Sequence, residues 1–295
     1  MGNEEDIFLP PRVFAGVLPP YSGLQQSKAV ILPVPYDGTT EWQSGARHGP
    51  QAIIDASQYL ELYDLELDRE IQKVGIHTLP QLEPLMSGPE NMTRRVYQVI
   101  KSLVQKGKVV VMLGGEHSIS LGAVQAFKEA FPKISVLQLD AHADLRNEYL
   151  GTKYGQACVM RRILELCPIV QVGIRSLSWE EKQFLNQNMM MPFYMSDMVT
   201  DVVSIEEMLS LLSEEVYVTI DADVLDPSIM PAVGTPEPGG MQWQQVLDIV
   251  KSVALHKHIV GFDLTEFCPR EGPASCAFLL AKLVYKLIGY VVPSG

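Results

Sequence analysis

The chain has 295 residues, 47% apolar and 20% charged, which is enough for one large α/β domain or two ordinary ones and too apolar for a disordered chain. A net charge of −12 argues against nucleic acid and anionic membrane surfaces as partners and suits a cationic ligand. The four cysteines (Cys158, Cys167, Cys268, Cys276) form no C-x-x-C pair, the start MGNEEDIFLPP is acidic and broken by prolines, and no apolar run is long enough to span a bilayer. A soluble protein of a reducing, cytoplasmic compartment is expected.

Residues 1–27 contain Pro10, Pro11, Pro19 and Pro20 and little periodicity, so they read as an N-terminal arm, with residues 28–295 forming one domain. The first strand is expected over 29–34. A polar loop with glycines follows, and Pro50 suits the first turn of a helix running to about residue 60. A strand over 74–79 and an amphipathic helix over 91–106 come next, the helix with Val96, Ile100 and Leu103 on one face. Then apolar strands alternate with helices. Strands are expected at 108–113, 134–139, 169–174, 216–220 and 258–264. Helices are expected from Ser118 and over 157–166, 178–186, 242–255 and 275–288. Ser178 and Glu181 stand at capping-box spacing. Strands without alternation, separated by helices, predict βαβ units and a parallel sheet covered on both faces, an α/β sandwich of three layers. Residues 189–191, all Met, are expected to pack beneath a loop.

Ligands in open α/β sheets gather beyond the carboxyl ends of the strands, and three strands deliver metal-binding residue types there. The strand over 108–113 leads into Gly114-Gly115-Glu116-His117-Ser118, and that over 134–139 into Asp140-Ala141-His142-Ala143-Asp144. The strand over 216–220 leads into Asp221-Ala222-Asp223. At a period of two, residues 140, 142 and 144 would project to one side of an extended backbone. Such groups are costly to bury unless something cationic sits between them. Together, His117, Asp140, His142, Asp144, Asp221 and Asp223 offer two imidazoles and four carboxylates, which balance the charge of two divalent ions. A set this rich in oxygen favours Mn²⁺ over zinc. Paired ions about 3.5–4 Å apart share a water and lower its pKa, which points to hydrolysis. A lone Asp at a strand end is ordinarily a cap or turn former, but three clusters at three strand ends do not fit that reading. His77, His256 and His258 lack such partners and read as structural or surface residues, as do the cysteines.

At these residues the sequence resembles the ureohydrolase family, which comprises arginase, agmatinase and their relatives. GGEHS (114–118), DAHAD (140–144) and DADVLDPSIMPAVGTPEPGG (221–240) match in order, SGARHGPQAI (44–53) resembles the family's early signature, and VGFDLTEFCP (260–269) its late one. The resemblance implies an arginase-like fold with one parallel sheet of about eight strands between helices, two Mn²⁺ ions per subunit, and a homo-trimer or homo-hexamer. It places His117, Asp140, His142, Asp144, Asp221 and Asp223 at the metal ligands. Glu266 falls where the family clamps the substrate guanidinium, a pairing that a carboxylate can make bidentately. Thr235 borders the pocket, while Gly239 and Gly240 serve the turn. The SGARHGP and GGEHS motifs and the YGQACVMRRI context (154–163) look like the agmatinase branch, so the implied substrate is a small cationic guanidine, agmatine or an aminopropylagmatine-like polyamine derivative, cleaved to urea and an amine such as putrescine.

The chain departs from the family at one place. Where a histidine usually stands, about a dozen residues after DAHAD, the sequence has Gln156. Glutamine can donate and accept hydrogen bonds but cannot change charge near pH 7. Three readings follow. Tyr154, His48 or water delivers the proton; the enzyme is weak or specialised, acting on a guanidine with an easier leaving group; or the protein is a non-catalytic homologue that binds metal and polyamine. An amidinohydrolase for another guanidine, such as guanidinobutyrate or arginine, is a further alternative.

Overall fold

The computed structural model describes residues 12–199 and 205–293. Of the expected N-terminal arm, residues 1–11 lie outside the described residues. The remainder begins with a 3₁₀ turn, Phe14–Gly16, whose Phe14 is buried, and Pro20 follows a cis peptide bond.

In chain order the elements are β1 (Ala29–Val34), α1 (Gly49–Ser57), β2 (Tyr63–Asp64), β3 (Arg69–Glu70), β4 (Ile76–Thr78), α2 (Pro89–Val104), β5 (Val109–Gly114) and α3 (Ser120–Ala130). They continue with β6 (Ser135–Leu139), α4 (Val159–Leu164), β7 (Ile169–Ile174), α5 (Trp179–Gln187), β8 (Phe193–Tyr194), α6 (Met195–Val199), α7 (Ile205–Leu211), β9 (Glu215–Asp221), α8 (Trp243–His256), β10 (His258–Thr265) and α9 (Ser275–Val291). Eight strands form one parallel sheet in the order β4-β1-β5-β10-β9-β6-β7-β8, and β2 and β3 make a small antiparallel ribbon.

The sheet is buried on both faces, as its unalternated apolar strands require. One face (Ile31, Leu113, Val218 and Leu264 among others) packs on α1, α8 and α9; the other (Val30, Met112, Val136 and Tyr217 among others) packs on α2, α3 and α4. The four central strands are in register, with Leu113 opposite Leu264, Leu264 opposite Ile220, and Ile220 opposite Leu139. One step further along the same edge come Gly114, Thr265, Asp221 and Asp140. Sheet geometry alone therefore brings the GGEHS, DLTEF, DAD and DAHAD segments to one place.

The elements differ from the sequence expectation mainly where a tertiary contact sets the backbone. The strand expected over 74–79 shrinks to Ile76–Thr78 because Ile71–Val74 coils into a 3₁₀ turn beneath α9. The helix expected from Ser118 is preceded by a 3₁₀ turn over His117–Ile119. The ribbon β2–β3, the edge strand β8 and the short helices α6 and α7 carry too little periodicity to be predicted. The expectation that residues 189–191 pack together is corrected: Met189 and Met191 are 90% and 85% exposed, and only Met190 packs against the core. Met189 adopts φ +53° at the turn that leaves α5, which carries its side chain outward.

The capping box at α5 forms as its spacing predicts. Ser178 Oγ accepts from Glu181 N at 3.3 Å, and Glu181 Oε2 accepts from Ser178 N and from Ser178 Oγ, each at 2.7 Å. Glu181 Oε1 also accepts from the buried Leu145 N–H at 2.8 Å, so the cap braces the segment that follows DAHAD. In chemical denaturation, Ser178→Ala is expected to cost about 1 kcal/mol. Glu181→Ala, which also leaves the Leu145 N–H without a partner, is expected to cost about 3 kcal/mol.

Candidate metal centre

The carboxyl ends of β5, β6, β9 and β10 meet around a cavity of about 260 Å³. The DAHAD segment does not continue β6 as an extended row, correcting the expected alternation at a period of two. The strand ends at Leu139, Asp140 Oδ1 accepts from the His142 N–H at 2.6 Å, and Asp144 takes a left-handed φ of +51°. This curl turns Asp140 and Asp144 toward His117 and sends His142 toward Asp223. Buried glutamines hold it: Gln138 donates to Asp140 Oδ2 and to His142 O, and Gln171 donates to Gln138 Oε1 and to Ala143 O.

All six residues singled out from sequence come together. His117 Nδ1 lies 3.1 Å from Asp140 Oδ2, 3.2 Å from Asp144 Oδ2 and 3.5 Å from Asp221 Oδ2. His142 Nδ1 lies 2.9 Å from Asp223 Oδ2 and 3.8 Å from Asp140 Oδ1. Two ligand groups result, His117–Asp140–Asp221 and Asp140–His142–Asp223, and Asp140 belongs to both.

The chemistry of this donor set fits a cation. His117 Nε2 is 2.8 Å from Thr219 Oγ1, and Thr219 donates its hydroxyl hydrogen to Asp263 Oδ1 at 2.6 Å. Tyr217 donates to the other oxygen of the same carboxylate at 2.7 Å. With the Thr219 hydrogen directed to Asp263, His117 Nε2 must donate, which leaves a lone pair on Nδ1. That Nδ1 is buried, has no hydrogen-bond partner, and faces three carboxylate oxygens. A lone pair among carboxylates is repulsive unless a cation lies between them. The proton affinities point the same way. Burial, reinforced by Asp223 and Asp144, pushes Asp140 up to about 7. Burial also raises Asp144, and raises Asp221 strongly with Asp223 and Asp140 adding to it. Burial opposes the charging of His142, yet Asp223 carries it up to about 11; the same contest raises His117. Against burial, His142 holds Asp223 low. Without a metal, the cluster draws in protons to neutralise itself.

Glu266, at the carboxyl end of β10, is buried with φ +61°. Its Oε1 accepts from the His117 N–H at 2.6 Å and its own N–H donates to Gly115 O at 2.7 Å, so the floor of the cavity is tied to GGEHS. Burial, with Glu116 adding to it, raises its pKa well above the usual range. Gly115 is required here, because a Cβ would lie 1.9 Å from Tyr36 O. Gln156 and Thr235 line the cavity. Gly239, at φ +78°, and Gly240 each donate a backbone N–H to Asp226 Oδ2 at 2.9 Å, which pins the loop carrying Thr235.

Two expected contributors fall elsewhere. Tyr154 lines a different depression, with Tyr97 and Lys128, and packs on the α2–α3 side. His48 is exposed in a 3₁₀ turn and does not line the cavity. His77 Nδ1 contacts Ser22 O, His256 Nδ1 contacts Ser252 O, and His258 lies edge-on to Phe131. All four thiols are buried. Sequence reasoning missed Thr219 and Asp263, whose signal is a polar residue inside an apolar strand (VYVTID, GFDLT). It also missed Arg175, which clamps the backbone oxygens of Asp223 and Glu237, and Glu116, which is fully buried and accepts from Thr39 and Ser118.

The sequence profile described as the arginase family matches residues 27–289. The chain belongs to the arginase family. Among curated members, it is 38% identical over 270 residues to an N(1)-aminopropylagmatine ureohydrolase of Synechocystis, covering 88% of each chain. It is 34% identical over 273 residues to an agmatinase of Pyrococcus horikoshii, covering 92% of this chain and 94% of the relative. The solved agmatine ureohydrolase of Thermoplasma volcanium superposes with a TM-score of 0.87 at 31% identity, covering 97% of this chain and 96% of that one. Arginase-family membership makes the protein a hydrolase of amidine C–N bonds with candidate metal ligands in place.

Thr219→Val removes the acceptor that fixes the His117 tautomer, and is expected to weaken Mn²⁺ binding about 10–100-fold in calorimetric titration while leaving the fold intact by circular dichroism. Because metal must displace protons from Asp140, pushed up to about 7, and from His142, carried up to about 11, affinity is expected to rise from about pH 6 and to go on rising above about pH 8. Calorimetry in buffers of different ionisation enthalpy would register the released protons.

Proposed function

We propose that the protein hydrolyses a linear guanidine carrying a cationic tail, agmatine or an aminopropyl-extended agmatine, to urea and an amine. What carries the reading is the buried, unpartnered His117 Nδ1 facing Asp144 and Asp221, two carboxylates that line a cavity that also presents Glu266. The two curated relatives compared above are named for this substrate class. The reading includes two Mn²⁺ ions per subunit held by His117, Asp140, His142, Asp144, Asp221 and Asp223, a cytoplasmic location, a homo-trimer or homo-hexamer, and residues 28–295 as one hydrolase domain after an arm at 1–27. In keeping with it, no helix among the described residues is long and apolar enough to cross a membrane.

When bound, the cations would supply a water of lowered pKa as nucleophile and stabilise the charge that develops at the guanidinium carbon. The protein's own groups do the rest. Glu266, kept in place by the His117 N–H, pairs with the guanidinium and orients its carbon over the ligand groups. Burial opposes ionisation of Glu266, and an arriving guanidinium reverses this by offering a counter-charge. Asp144 lines the cavity and is shifted toward protonation by burial, so its carboxylate is placed to take a proton from the nucleophile and return it to the leaving amine. Gln156 cannot carry that proton. With Tyr154 and His48 away from the cavity, Asp144 and water are the available route.

The test is urea release by the Mn²⁺-loaded protein with agmatine, aminopropylagmatine, arginine and guanidinobutyrate. Release from the two cationic-tailed guanidines is expected, with little from guanidinobutyrate, whose anionic tail meets a lining in which Glu41 and Glu181 outnumber Arg146. Absence of urea from all four, with two metals bound, would overturn the hydrolase and leave a metal-binding homologue. Glu266→Ala is expected to lower kcat/KM about 100-fold without loss of metal.

A further inference from the structure

A second cavity, of about 290 Å³, adjoins the metal cavity. The two share Glu41, Gln156 and Ala157 as a common wall, and Gly38, Thr40, Tyr149 and Leu150 line the far side of the second. We infer that this adjoining cavity is the subsite for a third positive charge of the substrate, the terminal ammonium of an aminopropyl extension, with Glu41 as its counter-ion and Gln156 as the acceptor at the junction. The inference rests on the guanidine-hydrolase reading above and specifies which guanidine the site is built for.

The carboxylates of the metal cavity carry the argument. Asp144, Asp221 and Asp223 are occupied with the two imidazoles, and Glu266 belongs to the guanidinium. Glu181 has both oxygens committed, to the Leu145 N–H and to the Ser178 cap. Glu41 alone among the described lining carboxylates has neither duty, and it stands on the shared wall. Tyr149 lies beside it, its phenol raised by hydrogen bonding to that charge. Placement of cations agrees. Arg146 is among the residues lining the metal cavity, its guanidinium held over the Tyr149 ring at 4.5 Å. No Lys, Arg or His is among the described residues lining the adjoining cavity.

Gln156 explains the junction. Its backbone N–H donates to Thr39 Oγ1 at 3.1 Å, and Thr39 is itself anchored on the buried Glu116, so the side chain is held on the wall. Its Oε1 is buried and finds no donor within the protein. A secondary ammonium in mid-tail would satisfy that oxygen, whereas an imidazolium at the same place would repel it. An aminopropyl extension adds four bonds, about 5 Å at roughly 1.2 Å per extended bond, which suits passage from one cavity into its neighbour.

The experiment compares aminopropylagmatine with agmatine on the full-length, Mn²⁺-loaded protein, by urea release and by calorimetric binding. Glu41 is exposed, so Glu41→Gln is expected to fold normally. It should lower the ratio of kcat/KM for the longer substrate over agmatine about 10-fold, mostly through KM, with binding of the longer substrate weakened alongside. Leu150→Arg, which places a cation in the second cavity only, should move the ratio the same way, and Glu41→Asp should restore most of it. A ratio and a binding constant within about twofold of the parent in both Glu41→Gln and Leu150→Arg would overturn the subsite. Binding that depends on Glu41 with no urea from either substrate would instead overturn the hydrolase reading and uphold the subsite.

Discussion

Four carboxylates and two imidazoles gathered at the end of a buried sheet are the constraint around which this molecule is arranged. Desolvation penalises every charge in the cluster, and mutual repulsion among the carboxylates adds to it. The surrounding structure is built to hold such a cluster. Glutamines brace the curled DAHAD segment, the Thr219–Asp263–Tyr217 chain fixes the direction in which His117 presents its lone pair, and Glu266 is tied by its neighbours to GGEHS. None of these interactions is a ligand contact, yet each limits how the ligands can turn. A cation then resolves the electrostatic conflict, and substrate charge can be recognised against what remains.

Much of the architecture was legible because the strands are apolar throughout their length, the signature of a parallel sheet covered on both faces. The convergence of the candidate metal ligands was legible for a different reason: polar residues clustered immediately after apolar strands have nowhere else to go. Their mutual geometry was not legible. A period of two implied one row from Asp140 to Asp144, but the strand ends before the motif, and hydrogen bonds from the adjacent Gln138 and from Gln171, which is distant in sequence, decide the curl. Tyr154 was misplaced for a similar reason. It is two residues from Gln156, yet the backbone turns between them so that one side chain faces the cavity and the other faces α2. The edge strand β8 and the outward Met189 and Met191 depend on a local turn that no hydrophobic pattern encodes.

The same comparison recasts Gln156. Judged from sequence, it is a missing proton carrier. In the fold it is a neutral acceptor held by Thr39 on the wall between two cavities, with a buried oxygen lacking a protein donor. Its loss of acid–base capacity and its suitability for a polycationic tail follow from one property, the absence of an ionisable ring.

The strand order has a consequence for how the site is held together. β10 is the last strand in sequence but lies between β5 and β9 in the sheet. β6 and β9 pair directly, whereas His117 on the β5 side is joined to them only through β10. The buried charges therefore belong to two half-sheets that only β10 joins, and without that strand the pocket for an ion or a polyamine is incomplete.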